Sequence, residues 1–254
     1  MTKPKILIAE DDSIVSLDIQ RVLESFGYEV PFVVSSGEEV IEKANKFLPD
    51  LILMDISLKG QIDGIEAALK IKNTNIPVIF LTAYKAESLI DRAQDAEPYG
   101  YLLKPYDVVE LKLNIQMALK KYEKIHKLEE IINGTPMPLF FINKEHKVVY
   151  WNKAMEEFSG TPIEEIIGTD NHWKVFYDKK RPCMADLLID NKIQQLHESY
   201  TGKVNKSEII DHSYSTEEFF PNLDANGKYL NFSASIIKSI QGTTIGALQV
   251  LEDR

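Results

Sequence analysis

The chain has 254 residues, a net charge of −10 at pH 7, a hydrophobic content of 44% and one cysteine, Cys183. This length and composition suit two globular domains, and the acidic balance argues against a surface built to bind nucleic acid. A lone cysteine excludes an internal disulfide. The sequence opens without a signal-peptide pattern and contains no apolar stretch of membrane-spanning length, so we expect a cytoplasmic protein that makes no membrane contact.

Four short apolar runs in the first half of the chain each stop at a polar side chain. They are Lys5–Ala9 before Glu10, Pro49–Met54 before Asp55, Pro77–Leu81 before Thr82, and Gly100–Leu103 before Lys104. Such runs predict strands buried on both faces, and the helical patterns of about ten to fifteen residues between them predict a parallel sheet. Functional side chains gather at the carboxyl ends of parallel strands, so these polar groups should converge in one crevice.

Glu10, Asp11 and Asp55 bring carboxylates into the predicted crevice. Carboxylates that lie close together repel one another unless a cation sits among them, and their hard oxygen atoms suit Mg²⁺. Mg²⁺ and the Lys104 ammonium can together neutralise a transferring phosphoryl group, and an aspartate can accept that group as an acyl phosphate. The residues therefore favour phosphoryl acceptance on Asp55.

Residues 4 to about 120 resemble the receiver domains of two-component response regulators. The matching segments are Ile6–Asp12, Asp50–Asp55, Asp63–Ala68, Ile79–Ala83 and Gly100–Pro105. The resemblance implies a doubly wound, flavodoxin-like α/β domain with a five-stranded parallel sheet, which we assign to residues 1–120. It also implies a signalling protein whose chemistry is limited to its own phosphorylation and dephosphorylation.

By this resemblance, Asp55 accepts the phosphoryl group from a histidine kinase. Mg²⁺ is held by Glu10, Asp11, Asp55 and the backbone carbonyl of Ser57, with Asp11 the more direct ligand of the two leading acids. Two other interpretations exist: polar residues can end strands without a function, and some receiver folds are never phosphorylated. All key positions carry chemically competent residue types, which favours a phosphorylated receiver.

The resemblance also assigns the groups around the phosphoryl site. Thr82 and Lys104 would contact the phosphoryl oxygens, Tyr101 would change rotamer together with Thr82, and the Lys104–Pro105 bond would be cis. The segment 56–64 is longer than the usual loop after the acceptor aspartate. Neither Ser57 nor Tyr84, two residues beyond Asp55 and Thr82, is an amide or acid that readily positions an attacking water, which predicts slow to moderate phosphoryl loss.

A long helix is predicted over 108–133, because no glycine or proline interrupts this run. Seven apolar positions recur at intervals of mostly three and four: Leu111, Ile115, Ala118, Tyr122, Ile125, Leu128 and Ile132. This heptad-like spacing favours a signalling helix that pairs with its copy in a homodimer; the alternative is an amphipathic helix packed on its own domain. Lysines on the helix alternate with glutamates, which favours a solvated face over nucleic-acid contact.

Residues 134–254 carry the pattern of an α+β domain with an antiparallel sheet. Two strand-like segments, Leu139–Asn143 and Val148–Trp151, precede short helices, and Ser213–Pro221, Lys228–Lys238 and Thr243–Glu252 form a predicted meander. The order resembles the PAS domains, with the match carried by residues 140–152 and 165–168. An enlarged helical segment at about 169–200 resembles PAS domains in sensory proteins of methanogenic archaea and anaerobic bacteria.

PAS domains bind a small ligand or dimerise, and the residues leave the ligand unknown and its presence open. His172, His197 and His212 are candidate haem ligands or ordinary surface and core-edge histidines. Cys183, close to Arg181, is either an oxidant-sensing thiol with a lowered pKa or a small buried residue. The aromatic residues Trp151, Trp173, Phe176 and Tyr177 fit a pocket lining and core packing equally well.

Phosphorylation-controlled protein interaction is the function that the sequence favours. In this hypothesis phosphorylation of Asp55 changes the geometry of the dimer through the helix 108–133, and the PAS pair presents or hides a surface for a downstream protein of unknown identity. Two alternatives are the first part of a hybrid sensor kinase that ends after its PAS domain and a transcription regulator. The acidic balance and the lack of a helix-turn-helix pattern make direct contact with nucleic acid the weaker interpretation.

Overall fold

The computed structural model describes residues 3–83, 92–200, 203–220 and 227–253. Tyr84, predicted to influence phosphoryl loss, and Pro221, the predicted end of a strand, lie outside these residues. The chain divides into two compact units, Met1–Lys127 and Leu128–Arg254. Among the described helices, none combines the length and the apolar character that crossing a membrane requires.

The first unit is built on a five-stranded parallel sheet with the strand order β2-β1-β3-β4-β5. Its strands are β1 (Lys5–Ala9), β2 (Glu29–Val34), β3 (Leu51–Asp55), β4 (Val78–Thr82) and β5 (Gly100–Leu103). All neighbouring pairs run parallel, and this confirms the predicted doubly wound α/β fold. Because β1, β3, β4 and β5 are successive neighbours, their carboxyl ends lie side by side.

Helices cover both faces of this sheet, which explains why its central strands are apolar on both sides. Between Lys3 and Ala83 and beyond Lys104, these helices are Ser13–Ser25, Gly37–Phe47, Gly64–Lys70 and Val108–Asn133, with a 3₁₀ turn at Lys72–Thr74. One buried cluster joins Leu7 and Ile52 to the second and third helices, and the other joins Ile8 and Leu53 to the first and last. Complete burial of such a side chain contributes about 1.5–3 kcal/mol.

The long helix runs over Val108–Asn133, as predicted. The prediction of one dimer seam through all seven apolar positions is wrong for the first three, because Leu111, Ile115 and Ala118 are buried in the core of the first unit at 1%, 0% and 1% exposure. Heptad-like spacing identifies an apolar face but does not identify which surface covers it. The amphipathic-helix alternative is therefore correct for this part of the helix.

The second unit contains a six-stranded antiparallel sheet with the order β7-β6-β11-β10-β9-β8. The strands are β6 (Leu139–Asn143), β7 (Val148–Trp151), β8 (Asn205–Lys206), β9 (Ser213–Phe220), β10 (Lys228–Lys238) and β11 (Thr244–Asp253). The predicted α+β class and antiparallel sheet are confirmed. The edge strand β8 was missed, because two exposed residues leave no periodic pattern to read.

Short helices fill the segment between β7 and β8. They are Lys153–Ser159, Ile163–Ile166, Met184–Ile189 and Ile193–Ser199, together with the 3₁₀ helix His172–Val175. Asn152, fully buried, caps the first of them by accepting a hydrogen bond from the Met155 amide at 2.9 Å, and it also accepts one from the Leu139 amide at 3.0 Å. This one side chain therefore joins the start of β6 to the end of β7.

Candidate functional site

The predicted polar residues meet at the carboxyl edge of the parallel sheet. Glu10 follows β1, Asp55 ends β3, Thr82 ends β4 and Lys104 follows β5. The Lys104 ammonium lies 2.5 Å from Glu10 Oε2 and 2.6 Å from Asp55 Oδ2. Segments that are 94 and 49 residues apart in sequence are joined by these two ion pairs.

Burial controls the electrostatics of this group. The exposed fractions of the side chains are 2% for Glu10, 11% for Asp55 and 21% for Lys104. Burial raises the pKa of Glu10 and the Asp55 charge raises it further, although the hydrogen bond from Lys104 opposes the rise. Burial alone would lower the pKa of Lys104, but hydrogen bonds to Asp55 and Glu10 outweigh it and the pKa is raised. Lys104 therefore carries its charge at neutral pH.

Asp11 completes a set of three acids that can hold a cation. Candidate ligand oxygens of Glu10, Asp11 and Asp55 all lie within 4.8 Å of one another. Oxygen atoms from several carboxylates are the donors that a hard divalent cation prefers, so this set fits Mg²⁺. Asp12 has another role, because its carboxylate caps the helix Ser13–Ser25 by accepting a hydrogen bond from the Ile14 amide at 2.8 Å.

The loop after β3 contributes two groups to the edge of the acid set. The Ser57 amide donates a hydrogen bond to Asp55 Oδ1 at 3.0 Å, which fixes the carboxylate orientation. Lys59 Nζ lies 2.9 Å from the carbonyl oxygen of Asp11 and 3.7 Å from its carboxylate. Lys59 was not among the predicted site residues; the unusual length of the segment 56–64 was the one sequence signal pointing to this loop.

Gly64 lets the start of the third helix approach the end of β3 closely. Its amide donates a hydrogen bond to the carbonyl oxygen of Ile56 at 2.9 Å. A Cβ atom at this position would overlap the carbonyl oxygen of Asp55 and lie 3.1 Å from Ile56 Cα. Any side chain here would push on the backbone that carries the central aspartate.

Thr82 and Tyr101 lie on the neighbouring strands β4 and β5. Thr82 is half-buried, and its carbonyl oxygen accepts a hydrogen bond from the Lys104 amide at 2.7 Å. The Tyr101 ring packs on Phe80 with 5.9 Å between ring centroids, and burial raises the pKa of its phenol. Within the described residues its buried hydroxyl has no hydrogen-bond partner. The Lys104–Pro105 bond is cis, as predicted.

The candidate histidines and the cysteine of the second unit differ in their exposure to solvent. His172 is buried, whereas His197 and His212 are exposed. Cys183 is buried, and burial followed by the Asp186 charge raises its pKa well above the ordinary value despite Arg181. The interpretation of Cys183 as a small buried residue is confirmed, and the proposed low-pKa thiol is wrong, because burial exceeds the effect of Arg181.

Most of the candidate pocket aromatics form the core of this unit. Trp151 and Phe176 are 1% and 8% exposed and both pack on Phe140, with ring centroids at 5.5 Å and 6.4 Å. Burial raises the pKa of Tyr177 to about 12. Trp173 instead borders a cavity of about 410 Å³. Core packing therefore explains more of these rings than a ligand does.

Two family profiles match successive parts of the chain. Residues 6–116 match the response regulator receiver domain, and residues 126–207 match the PAS fold. Among curated relatives, the transcriptional regulatory protein PdtaR of Mycobacterium tuberculosis is 36% identical over 126 residues, 49% of this chain and 61% of the relative. Sporulation initiation phosphotransferase F of Bacillus subtilis is 32% identical over 124 residues, 48% of this chain and 95% of the relative.

A solved structure also matches the receiver half. The receiver domain of the sensor histidine kinase PA1611 from Pseudomonas aeruginosa, solved with a magnesium ion in its active site cleft, is 29% identical. The match covers 47% of this chain and 99% of that one, with a TM-score of 0.44. The chain spans less than two thirds of the length of PdtaR, so its match to that relative covers only part of the relative.

Proposed function

This chain belongs to the response regulators, with a receiver domain followed by a PAS domain, and we propose that Asp55 accepts a phosphoryl group from a histidine kinase. The observation that carries the proposal is the Lys104 ammonium between Glu10 and Asp55, at 2.5 Å and 2.6 Å. A nucleophilic carboxylate and a partly buried cation are thereby in direct contact at the carboxyl edge of a parallel sheet, where phosphoryl oxygens need neutralisation.

The proposed transfer uses groups already in contact. An oxygen of the Asp55 carboxylate bonds to phosphorus, the bond from phosphorus to the kinase histidine nitrogen breaks, and its electron pair returns to that nitrogen. Lys104, which pairs with the Asp55 carboxylate before transfer, then pairs with the phosphoryl oxygens. The Thr82 hydroxyl is the second group that we assign to those oxygens.

The ligands that we propose for Mg²⁺ are Glu10, Asp11, Asp55 and the backbone carbonyl of Ser57. Their support is the convergence of the three acid side chains within 4.8 Å, in a pocket where Glu10 is disfavoured as an anion by burial. When bound, Mg²⁺ supplies positive charge that offsets the carboxylates and the incoming phosphoryl oxygens.

Thr82 and Tyr101 are the proposed switch. Burial of a tyrosine hydroxyl without a described partner is unfavourable, so a rotamer in which Tyr101 finds a partner is energetically accessible. The change would pass through the helix Val108–Asn133 to the PAS domain, which we propose acts in the cytoplasm by homodimerisation and by binding a downstream protein. The domain limits in this proposal are 1–120 and 134–254, joined by the helix 108–133.

Sedimentation of the full chain with Mg²⁺, with and without a beryllofluoride phosphoryl mimic, tests the proposal. A mass or shape change in the wild type that is absent in Asp55→Ala would support a phosphorylation switch that alters assembly. A constant dimer that still binds the mimic would move the switch to another surface. No binding of the mimic by titration calorimetry would refute phosphoryl acceptance on Asp55.

A further inference from the structure

A second group of potential metal ligands lies in the PAS unit. His172, Cys183 and Asp186 are 2%, 1% and 7% exposed. One candidate ligand atom from each, nitrogen, sulfur and oxygen, lies within 4.8 Å of the other two. Residues with these three donor types, buried together, match the ligand set of a borderline-soft divalent ion better than that of Mg²⁺.

The His172 imidazole has bonding capacity that the described residues do not use. Its Nε2 atom lies 2.9 Å from Asp186 Oδ2, but its Nδ1 atom has no hydrogen-bond partner among the described residues. An imidazole nitrogen that is buried without a partner is unfavourable. A ligand bound at this ring would remove that penalty.

Hydrogen bonds hold the Asp186 carboxylate in one orientation. His146 Nδ1 lies 2.7 Å from Asp186 Oδ1, and the Cys183 amide donates to Asp186 Oδ2 at 2.7 Å. His146 is itself held by Asp190, whose Oδ1 atom lies 3.1 Å from the imidazole Nε2. Metal-binding carboxylates and histidines are oriented by outer partners of this kind.

A cavity opens beside this cluster. It has a volume of about 410 Å³, and its lining includes His146, His172, Asp186 and Asp190. Two of the three residues, His172 and Asp186, border this cavity, so a three-ligand site would have a fourth position on their side for water or a small ligand.

We propose that His172, Cys183 and Asp186 bind a thiophilic divalent metal ion, with Zn²⁺ the best fit, in tetrahedral coordination completed from the cavity. A divalent ion with one thiolate and one carboxylate forms a neutral cluster, and neutral clusters are far less costly to bury than isolated charges. Zn²⁺ binds sulfur at about 2.3 Å and nitrogen or oxygen at roughly 2.0–2.2 Å.

Metal binding at this site would have to displace the proton of the Cys183 thiol. Without metal, the raised pKa of Cys183 keeps its thiol protonated beside the Asp186 carboxylate. Burial would also raise the pKa of Asp186, but hydrogen bonds from His172, His146 and the Cys183 amide outweigh it and keep the pKa low. Metal binding would release the thiol proton and replace it with the ion.

Titration of the reduced, metal-free full chain with Co²⁺ in excess Mg²⁺ tests the site. We expect one tightly bound Co²⁺ per chain, with a sulfur-to-cobalt charge-transfer band that disappears when Zn²⁺ displaces it. Cys183 is the one cysteine in the sequence, and the receiver acids offer no sulfur, so the band reports this site alone. Absence of the band in the folded wild type would overturn the proposal, whatever the variants do.

Variants of one ligand, of one residue that orients a ligand, and of two control positions test the site. Cys183→Ser should remove the band, and His146→Gln, which leaves the Asp186 carboxylate less well oriented, should weaken Co²⁺ binding about 10–100-fold. Asp11→Asn in the receiver and the exposed-histidine variant His197→Gln should leave the band unchanged. If the residues form only a hydrogen-bonded network that starts the helix Met184–Ile189, Zn²⁺ will neither bind stoichiometrically nor raise the unfolding temperature, and the proposal fails.

Discussion

Lys59 Nζ lies 2.9 Å from the backbone carbonyl oxygen of Asp11, although 48 residues separate the two in sequence. The same ammonium is 3.7 Å from the Asp11 carboxylate, and the Lys59 side chain is 67% exposed. The loop after the central aspartate therefore brings a solvated positive charge to the edge of the proposed cation site. A charge in that position competes with a divalent ion rather than assisting it.

Lys59→Gln should strengthen Mg²⁺ binding. The lysine is well solvated, so its repulsion is worth about 1 kcal/mol or less, which corresponds to an affinity gain of roughly two- to fivefold at low ionic strength. Added salt should reduce the gain, since exposed charges are screened. Titration calorimetry measures the effect, with the exposed Lys46→Gln as the matched control. An unchanged affinity at low salt would contradict an electrostatic role for Lys59.

Glu10→Gln should stabilise the receiver unit in Mg²⁺-free buffer at pH 7.5. Burial raises the pKa of Glu10 above its ordinary value of 4.5, so the folded unit binds this proton more readily than the unfolded chain does. At any pH above the pKa that Glu10 has in the folded unit, ionised Glu10 therefore destabilises the fold. This loss of stability disappears as the pH falls below 4.5. The gain in unfolding temperature should shrink at low pH and with added Mg²⁺.

Calorimetric scans with and without Mg²⁺ measure this effect, because the receiver transition is the one that Mg²⁺ shifts. Glu42→Gln is the control, since this glutamate is 62% exposed and its contact with Lys43 lies at the surface. A lower unfolding temperature for Glu10→Gln than for the wild type at pH 7.5 without Mg²⁺ would mean that the Lys104 ion pair outweighs the burial penalty.

Gly64→Ala should disturb the site without touching any of its polar side chains. The new Cβ would overlap the carbonyl oxygen of Asp55, so the end of β3 or the start of the helix Gly64–Lys70 must shift. We expect a loss of about 1–3 kcal/mol in the free energy of unfolding and weaker binding of the beryllofluoride mimic.

Urea unfolding and mimic titration measure the two effects together. Gly100→Ala is the matched control, because its Cβ would have an ordinary contact of 3.4 Å with Asn114 Oδ1. Wild-type mimic affinity in Gly64→Ala would show that the backbone can shift without moving the Asp55 carboxylate.

The receiver pocket could be predicted because each of its main residues is recognisable from its immediate neighbours in the sequence. Glu10, Asp55 and Lys104 each stand where an apolar run stops, and parallel strands bring such positions to one edge. The sequence could not show which atoms of these residues come into contact. The Lys104 ammonium pairs with both Glu10 and Asp55, and these contacts depend on how the side chains are buried. Lys59 escaped prediction because its contact requires a loop path that includes Gly60 at a φ of 106° and a bridge between Lys59 and Ser36.

The group formed by His172, Cys183 and Asp186 in the PAS unit could not be predicted either, because its contacts join separate segments of the chain. His146 lies in the turn after β6, His172 in a 3₁₀ helix and Asp186 in a six-residue helix. No spacing rule relates these segments, and His146 was not among the candidate histidines. The limits of the long helix could be predicted, because no glycine or proline interrupts it. The sequence could not show which of its apolar residues are buried in the core and which are exposed.

The two faces of the long helix should respond differently to truncation. Ile115 is fully buried against the receiver sheet, so Ile115→Ala should lower the free energy of unfolding by about 2–5 kcal/mol. Met117 is 70% exposed on the same helix, so Met117→Ala should change it by less than about 0.5 kcal/mol. Urea titration of both variants measures the contrast. Equal losses would mean that Met117 is covered in solution.

Leu128→Ser combined with Ile131→Ser should weaken the proposed homodimer. These side chains are 55% and 63% exposed, and with Leu111, Ile115 and Ala118 committed to the receiver core, the exposed positions must supply the contact between copies of the helix. Burying two such residues at an interface contributes a few kcal/mol, roughly 1.5–3 for each complete burial. The double variant should therefore sediment with a dissociation constant at least tenfold higher, while its urea midpoint at low concentration stays unchanged. An unaltered dissociation constant would assign dimerisation to the PAS sheet or helices instead of the linker.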